Sequence, residues 1–133
     1  VQTCALPISY ALSLNGCTDA NGALTAGASA GQLCWHPRNN ATTPVLLTST
    51  SGLVQGFWNH VAITWNASAI TLYLNGVLDG TGSGATAITE YIIRIGYGAQ
   101  GYFNGYIDDL RITKGLARYT SNFSMPKLPF PNL

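Results

Sequence analysis

The chain has 133 residues and a mass of 14.1 kDa, the size of one domain with a core of its own. Only 8% of residues are charged and the formal net charge is +1, against about 25% charged in an average soluble protein. Its six Lys and Arg stand singly, so there is no basic patch for a phosphate backbone or an acidic membrane, and nucleic-acid binding is excluded as a leading class.

No apolar run approaches the roughly 20 residues of a membrane-spanning helix. Abundant Gly, Thr and Tyr beside few Glu and Lys point to an all-β domain.

Residues Val1-Gln2-Thr3-Cys4-Ala5-Leu6-Pro7-Ile8 resemble the in-frame translation of a short-read sequencing adapter. They are set aside from fold reasoning as a tag would be. The expected organisation is an adapter-derived 1–8, a β-domain over 9–125, and a Pro-rich tail or linker over 126–133. Without Cys4, Cys17 and Cys34 remain, either as a disulfide in an oxidising compartment or as two buried thiols; spacing leaves both open.

Tyr10, Leu12 and Leu14 share one face of a first strand, which Asn15-Gly16 ends. Residues 18 to 31 are small and read as a loop or weak strand pair. Strands follow over Gln32–His36, stopped by Pro37, and over Val45–Thr50. Phe57–Trp65 is the strongest strand, with Val61, Ile63 and Trp65 on one face and His60, Ala62 and Thr64 on the other. Ile70–Asn75 alternates again, and Asn75-Gly76 suits a two-residue hairpin turn into Val77-Leu78.

Tyr91–Ile95 and Tyr106–Thr113 are the last expected strands, around the Gly-rich, aromatic loop Gly96–Gly105. Pro126, Pro129 and Pro131 keep the tail extended. Short strands at this spacing indicate a β-sandwich.

Three motifs carry a resemblance: Trp58-Asn59-His60-Val61-Ala62-Ile63-Thr64, then Leu72-Tyr73-Leu74-Asn75-Gly76-Val77, then Gly105-Tyr106-Ile107-Asp108-Asp109-Leu110-Arg111-Ile112. In this order they resemble laminin-G-like domains of the concanavalin A-like lectin/glucanase superfamily. The continuation Thr113 to Thr120, with Phe123, is similar to versions in bacteriophage tail and other virion proteins.

The resemblance implies an antiparallel jelly-roll sandwich that lacks its N-terminal strands here. It implies a module of a larger secreted, cell-surface or phage tail-associated protein. The partners it implies are a surface glycan or neighbouring subunits and domains.

The superfamily includes glycoside hydrolases, so the resemblance also raises catalysis. Such chemistry commonly needs two carboxylates flanking the scissile bond, and Glu90 is the single glutamate, with Asp19, Asp79, Asp108 and Asp109 the only aspartates. Adjacent Asp108 and Asp109 would face opposite ways in a regular strand. Neither His36 nor His60 lies in a nucleophile motif, and zinc spacing is lacking. The expectation is a non-catalytic module, and His60 reads as a hydrogen-bonded structural histidine.

Calcium is the one cofactor the resemblance brings in, with Asp79, Asn104, Asp108 and Asp109 as candidate oxygen ligands; only Asp108 and Asp109 lie in a matching motif, and the other reading has one of them bonding loop amides or pairing with Arg111. Carbohydrate recognition wants aromatic platforms beside polar groups, and Tyr97, Tyr102, Phe103, Asn104 and Tyr106 are the candidates. The competing reading has Phe103 and Tyr106 packing the sandwich edge while Tyr97 and Tyr102 are merely exposed. The other functional class is a structural spacer or assembly domain without a ligand; a non-catalytic part of a glycoside hydrolase is the remote one.

Overall fold

Alternating apolar residues assemble this chain into antiparallel sheets. The computed structural model describes residues 10–14, 31–37, 47–66, 69–83, 95–98 and 101–130, and every regular element among them is a β-strand. Strands β1 (Tyr10–Leu14), β2 (Gln32–Pro37) and β3 (Leu47–Gly52) form one sheet in that order. Strands β4 (Val61–Asn66), β5 (Ala69–Leu74) and β6 (Val77–Ser83) form a second, and β7 (Tyr97–Gly98) pairs with β8 (Gly101–Tyr102) in a short ribbon.

The second sheet shows how sequence sets register. Val61 pairs with Leu74, Ile63 with Leu72 and Trp65 with Ile70, so one face is apolar throughout. The β5–β6 turn is Asn75-Gly76, with φ of 53° and 81°, the pair of positive angles that matches a two-residue turn to strand twist. Leu72 faces Gly80 while Tyr73 faces Leu78, so Asp79 is the extra residue of a β-bulge.

A bulge re-aims its side chain. Here both Asp79 carboxylate oxygens accept the Ser51 amide, at 3.1 and 3.2 Å. That contact joins β6 to β3. Beside it, a Cβ on Gly80 would lie 3.0 Å from the Thr48 carbonyl oxygen, so the two strands approach closely where β6 has a glycine.

Leu33, Trp35 and Leu47 of the first sheet and Val61, Ile63, Ile70, Leu72 and Leu74 of the second form one buried cluster, with Leu53 and Trp65 against it. Each full burial is worth roughly 1.5–3 kcal/mol. Where the β2–β3 register slips between Gln32 and Cys34, side chains replace the missing ladder. Ser49 Oγ accepts the Leu33 amide at 2.8 Å and donates to the Ser51 carbonyl, and Gln32 Nε2 donates to the Ser49 carbonyl.

Cys34 is fully buried and disulfide-bonded, so it is not a free thiol; its partner lies outside the described residues.

Strands β1, β2, β5 and β6 lie where alternation places them. Strand β3 ends two residues later than expected, and β4 begins at Val61, because Phe57 to His60 form a loop entry instead of a ladder. Residues 106–113 correct a larger expectation: they are described and form no strand. Asp109 there has φ 49°, which breaks an extended run. Residues 1–8, 15–30, Val45-Leu46, Glu90 and Tyr91–Arg94 lie outside the described residues. Ile95 sits in a bend.

Candidate functional site

The Gly-rich loop closes on itself. Tyr97 pairs with Tyr102 and Gly98 with Gly101, and the Phe103 amide donates to the Gly96 carbonyl at 2.8 Å. Phe103 is half-buried, and its ring lies so near Gly105 that a Cβ there would sit 2.7 Å from it. With Phe103 folded over Gly105, Tyr102 and Tyr106 are left 87% and 85% exposed, and Asn104 between them is exposed too.

The expectation that Tyr106 packs a sandwich edge is therefore corrected, whereas Phe103 is partly covered. Tyr97 is placed by its backbone alone.

Each of the three expected aspartate ligands accepts a backbone amide. Asp79 is held at Ser51. Asp108 Oδ1 accepts the Asp109 amide at 2.8 Å, and Asp109 Oδ1 accepts the Phe130 amide at 3.4 Å. Among the described residues, no three His, Cys, Asp or Glu come together as a metal site. Arg111 lies 3.4 Å over the Phe130 ring, a cation–π contact.

A second aromatic loop was not singled out by sequence. Phe57 and Trp58 are 76% and 66% exposed, with Val54 beside them in the chain also exposed. Asn59 holds this loop: its Nδ2 donates to the Val54 and Phe57 carbonyls at 2.9 and 3.0 Å, and its Oδ1 accepts the Val54 amide. Gly56, at φ 82°, turns the chain just before the pair. The Gly-to-aromatic step followed by Asn was the available signal.

The second face of the β4–β5–β6 sheet is covered by the chain after Arg118. Tyr119 and Phe123 stack at 3.6 Å and meet His60 and Tyr73 edge-on, with His60–Phe123 at 5.3 Å and Tyr73–Phe123 at 5.6 Å. The Phe123 amide donates to the Gly76 carbonyl at 2.9 Å, and Asn122 Oδ1 accepts the Leu78 amide at 2.8 Å. Residues 119–123 thus form a strap over the hairpin.

His60 is buried, and among the described residues neither ring nitrogen has a hydrogen-bond partner. That corrects the hydrogen-bonded histidine expected from sequence; its backbone, bonded to Asn75, does the tethering. Loss of solvent under the strap lowers its pKa. Burial likewise raises that of Tyr73.

A laminin-G-type family model, described as the concanavalin A-like lectin/glucanases superfamily, matches residues 10–117. The chain belongs to this superfamily. Its antiparallel all-β architecture agrees with a concanavalin A-like sandwich. No curated protein and no solved structure matches the chain. Among the described residues, no helix is long and apolar enough to cross a membrane. Among the described residues, the Phe57–Trp58 loop and the Tyr102–Tyr106 loop each present exposed aromatic rings.

Proposed function

We propose that this laminin-G-like domain is a non-catalytic binding module that contacts carbohydrate through Tyr102, Asn104 and Tyr106. The observation that carries the reading is the near-complete exposure of both tyrosines on a loop fixed by Phe103 and Gly105. Rings presented at little further ordering cost suit stacking on the apolar faces of sugars, and an amide between them supplies hydrogen bonds. The non-catalytic part of the proposal draws support from Asp79, Asp108 and Asp109, whose carboxylates accept backbone amides.

The parent protein is proposed to work outside the cell or on a virion, with a phage tail as the leading setting. The resemblance at Thr113 to Phe123 supports the tail, and disulfide-bonded Cys34 fits an oxidising surrounding. A glycan array probed with the wild type and with Tyr102→Ala/Tyr106→Ala tests the site. Binding that survives the double change removes these residues from it.

A second reading, a structural or assembly module without a glycan, is favoured by Val54, Phe57 and Trp58, which expose apolar surface of the kind that meets a neighbouring domain. An array silent for the wild type, with Trp58→Ala weakening association with other parts of the parent protein, would favour it.

A further inference from the structure

We propose that Asn104 is a self-modifying site, converted with the help of Gly105 into aspartate and isoaspartate, while Asn75, also followed by glycine, is shielded by the fold.

In this reaction the Gly105 backbone nitrogen, having lost its proton to solvent, attacks the Asn104 side-chain carbon Cγ. A Cγ–N bond forms and the bond from Cγ to Nδ2 breaks, so the side-chain nitrogen leaves as ammonia after taking up protons from water. The resulting five-membered imide is opened by one water molecule at either carbonyl. One opening gives aspartate in the normal backbone; the other gives isoaspartate, whose chain runs through the former side chain. Water is the only co-reactant, and nothing is oxidised or reduced.

The attack needs an unhindered nitrogen, which a glycine provides, and a side chain able to swing toward it. Asn104 and Gly105 are both exposed, and no hydrogen bond to another described residue holds the Asn104 amide.

Asn75 differs at every point. Its Oδ1 accepts the His60 amide at 2.8 Å, its Nδ2 donates to Asn59 Oδ1 at 3.4 Å, and its own amide donates to the His60 carbonyl at 2.8 Å. Gly76 is buried and meets the Phe123 carbonyl. Turning the Asn75 side chain onto the Gly76 nitrogen would break the hairpin closure and lift the strap, so reaction there waits for local opening.

The product places a new carboxylate between Tyr102 and Tyr106. Any effect on glycan contact rests on the reading of those tyrosines above; the modification itself does not.

The purified chain is held folded at neutral to mildly alkaline pH, sampled over time, and digested. The tryptic peptide 95–111, bounded by Arg94 and Arg111, has Asn104 as its single asparagine, and fragment-ion mass spectrometry of it places any amide-to-acid change or isoaspartyl methyltransferase label at position 104 as against Gln100, Asp108 and Asp109. A chymotryptic digest reports Asn75.

Position 104 is expected to convert roughly tenfold or more faster than 75, a gap set by the opening of the hairpin, and to lose that lead when the chain is unfolded in urea. Asn104→Gln should abolish labelling of the peptide with circular dichroism unchanged. The proposal is overturned if folded Asn104 keeps its amide while the synthetic peptide 95–111 converts. It is equally overturned if 75 keeps pace with 104 in the folded chain. Conversion that leaves glycan binding unchanged would count against the tyrosine reading alone.

Discussion

Residues 61–83 and residues 101–130 hold their shape by different means. In the first region each strand is paired, one face feeds the shared core, and the other carries Tyr73, which with the adjoining His60 lies under the strap. In the second, beyond the short β8, order comes from isolated contacts. These are Phe103 over Gly105, Asp109 with the Phe130 amide, Arg118 Nε donating to Thr113 Oγ1 at 2.9 Å, and the strap itself. Large apolar residues there stay exposed, among them Leu116 at 60% and Leu128 at 78%. A ladder buries whole side chains, whereas point contacts leave surface available for partners.

Substitutions in matched pairs would sharpen this contrast. Leu72→Ala, at a fully buried position, should cost about 2–5 kcal/mol, while Leu116→Ala should move the urea midpoint by less than about 0.5 kcal/mol equivalent. Comparable losses from both would erase the distinction. Gly76→Ala puts a Cβ against the Phe123 carbonyl at a positive φ. It should cost on the order of 3 kcal/mol, with Tyr119 and Phe123 becoming accessible to chymotrypsin. Protection of both rings in that variant would show that the strap tolerates the clash.

Phe123→Ala is next, at about 2 kcal/mol for a half-buried ring. It should also let the His60 pKa rise toward its ordinary 6.5, as followed by NMR titration of the imidazole.

His60 in the wild type makes stability depend on pH. Its folded pKa lies below the unfolded value of 6.5, so the unfolded chain binds the proton more readily. Stability is then full above pH 6.5 and declines as pH falls toward the lowered folded value. Denaturation midpoints at pH 7.5 and 5, repeated with His60→Phe, check it; an unaltered slope in the variant would assign the dependence to other groups. The smallest change in stability belongs to Tyr102→Ala and Tyr106→Ala, within about 0.5 kcal/mol, even where glycan contact is lost.

What could be read in advance follows the same division. Alternation in Tyr10–Leu14 and Ile70–Leu74, and the Asn75-Gly76 turn, locate strands because pairing rewards a period of two. The run Tyr106–Thr113 shows similar residues, yet no ladder forms around the positive φ of Asp109, since periodicity reports a face and not whether a neighbour occupies it. The exposure of Tyr102 was compatible with a loop rich in glycine. The covering of His60 by Tyr119 and Phe123 was not legible, because it joins residues distant in the chain through ring packing that leaves no local pattern.

The strap also sets a schedule. Leu78 and Asn122 are separated by 44 residues, and at a synthesis rate of about 5–20 residues per second the ribosome needs roughly 2 to 9 s to pass from one to the other. During that interval the hairpin face bearing Tyr73 and His60 has nothing from residues 119–123 to lie beneath. A nascent chain therefore carries a sticky aromatic surface for seconds, and a holding chaperone or a slow codon near the strap would act on this one interval.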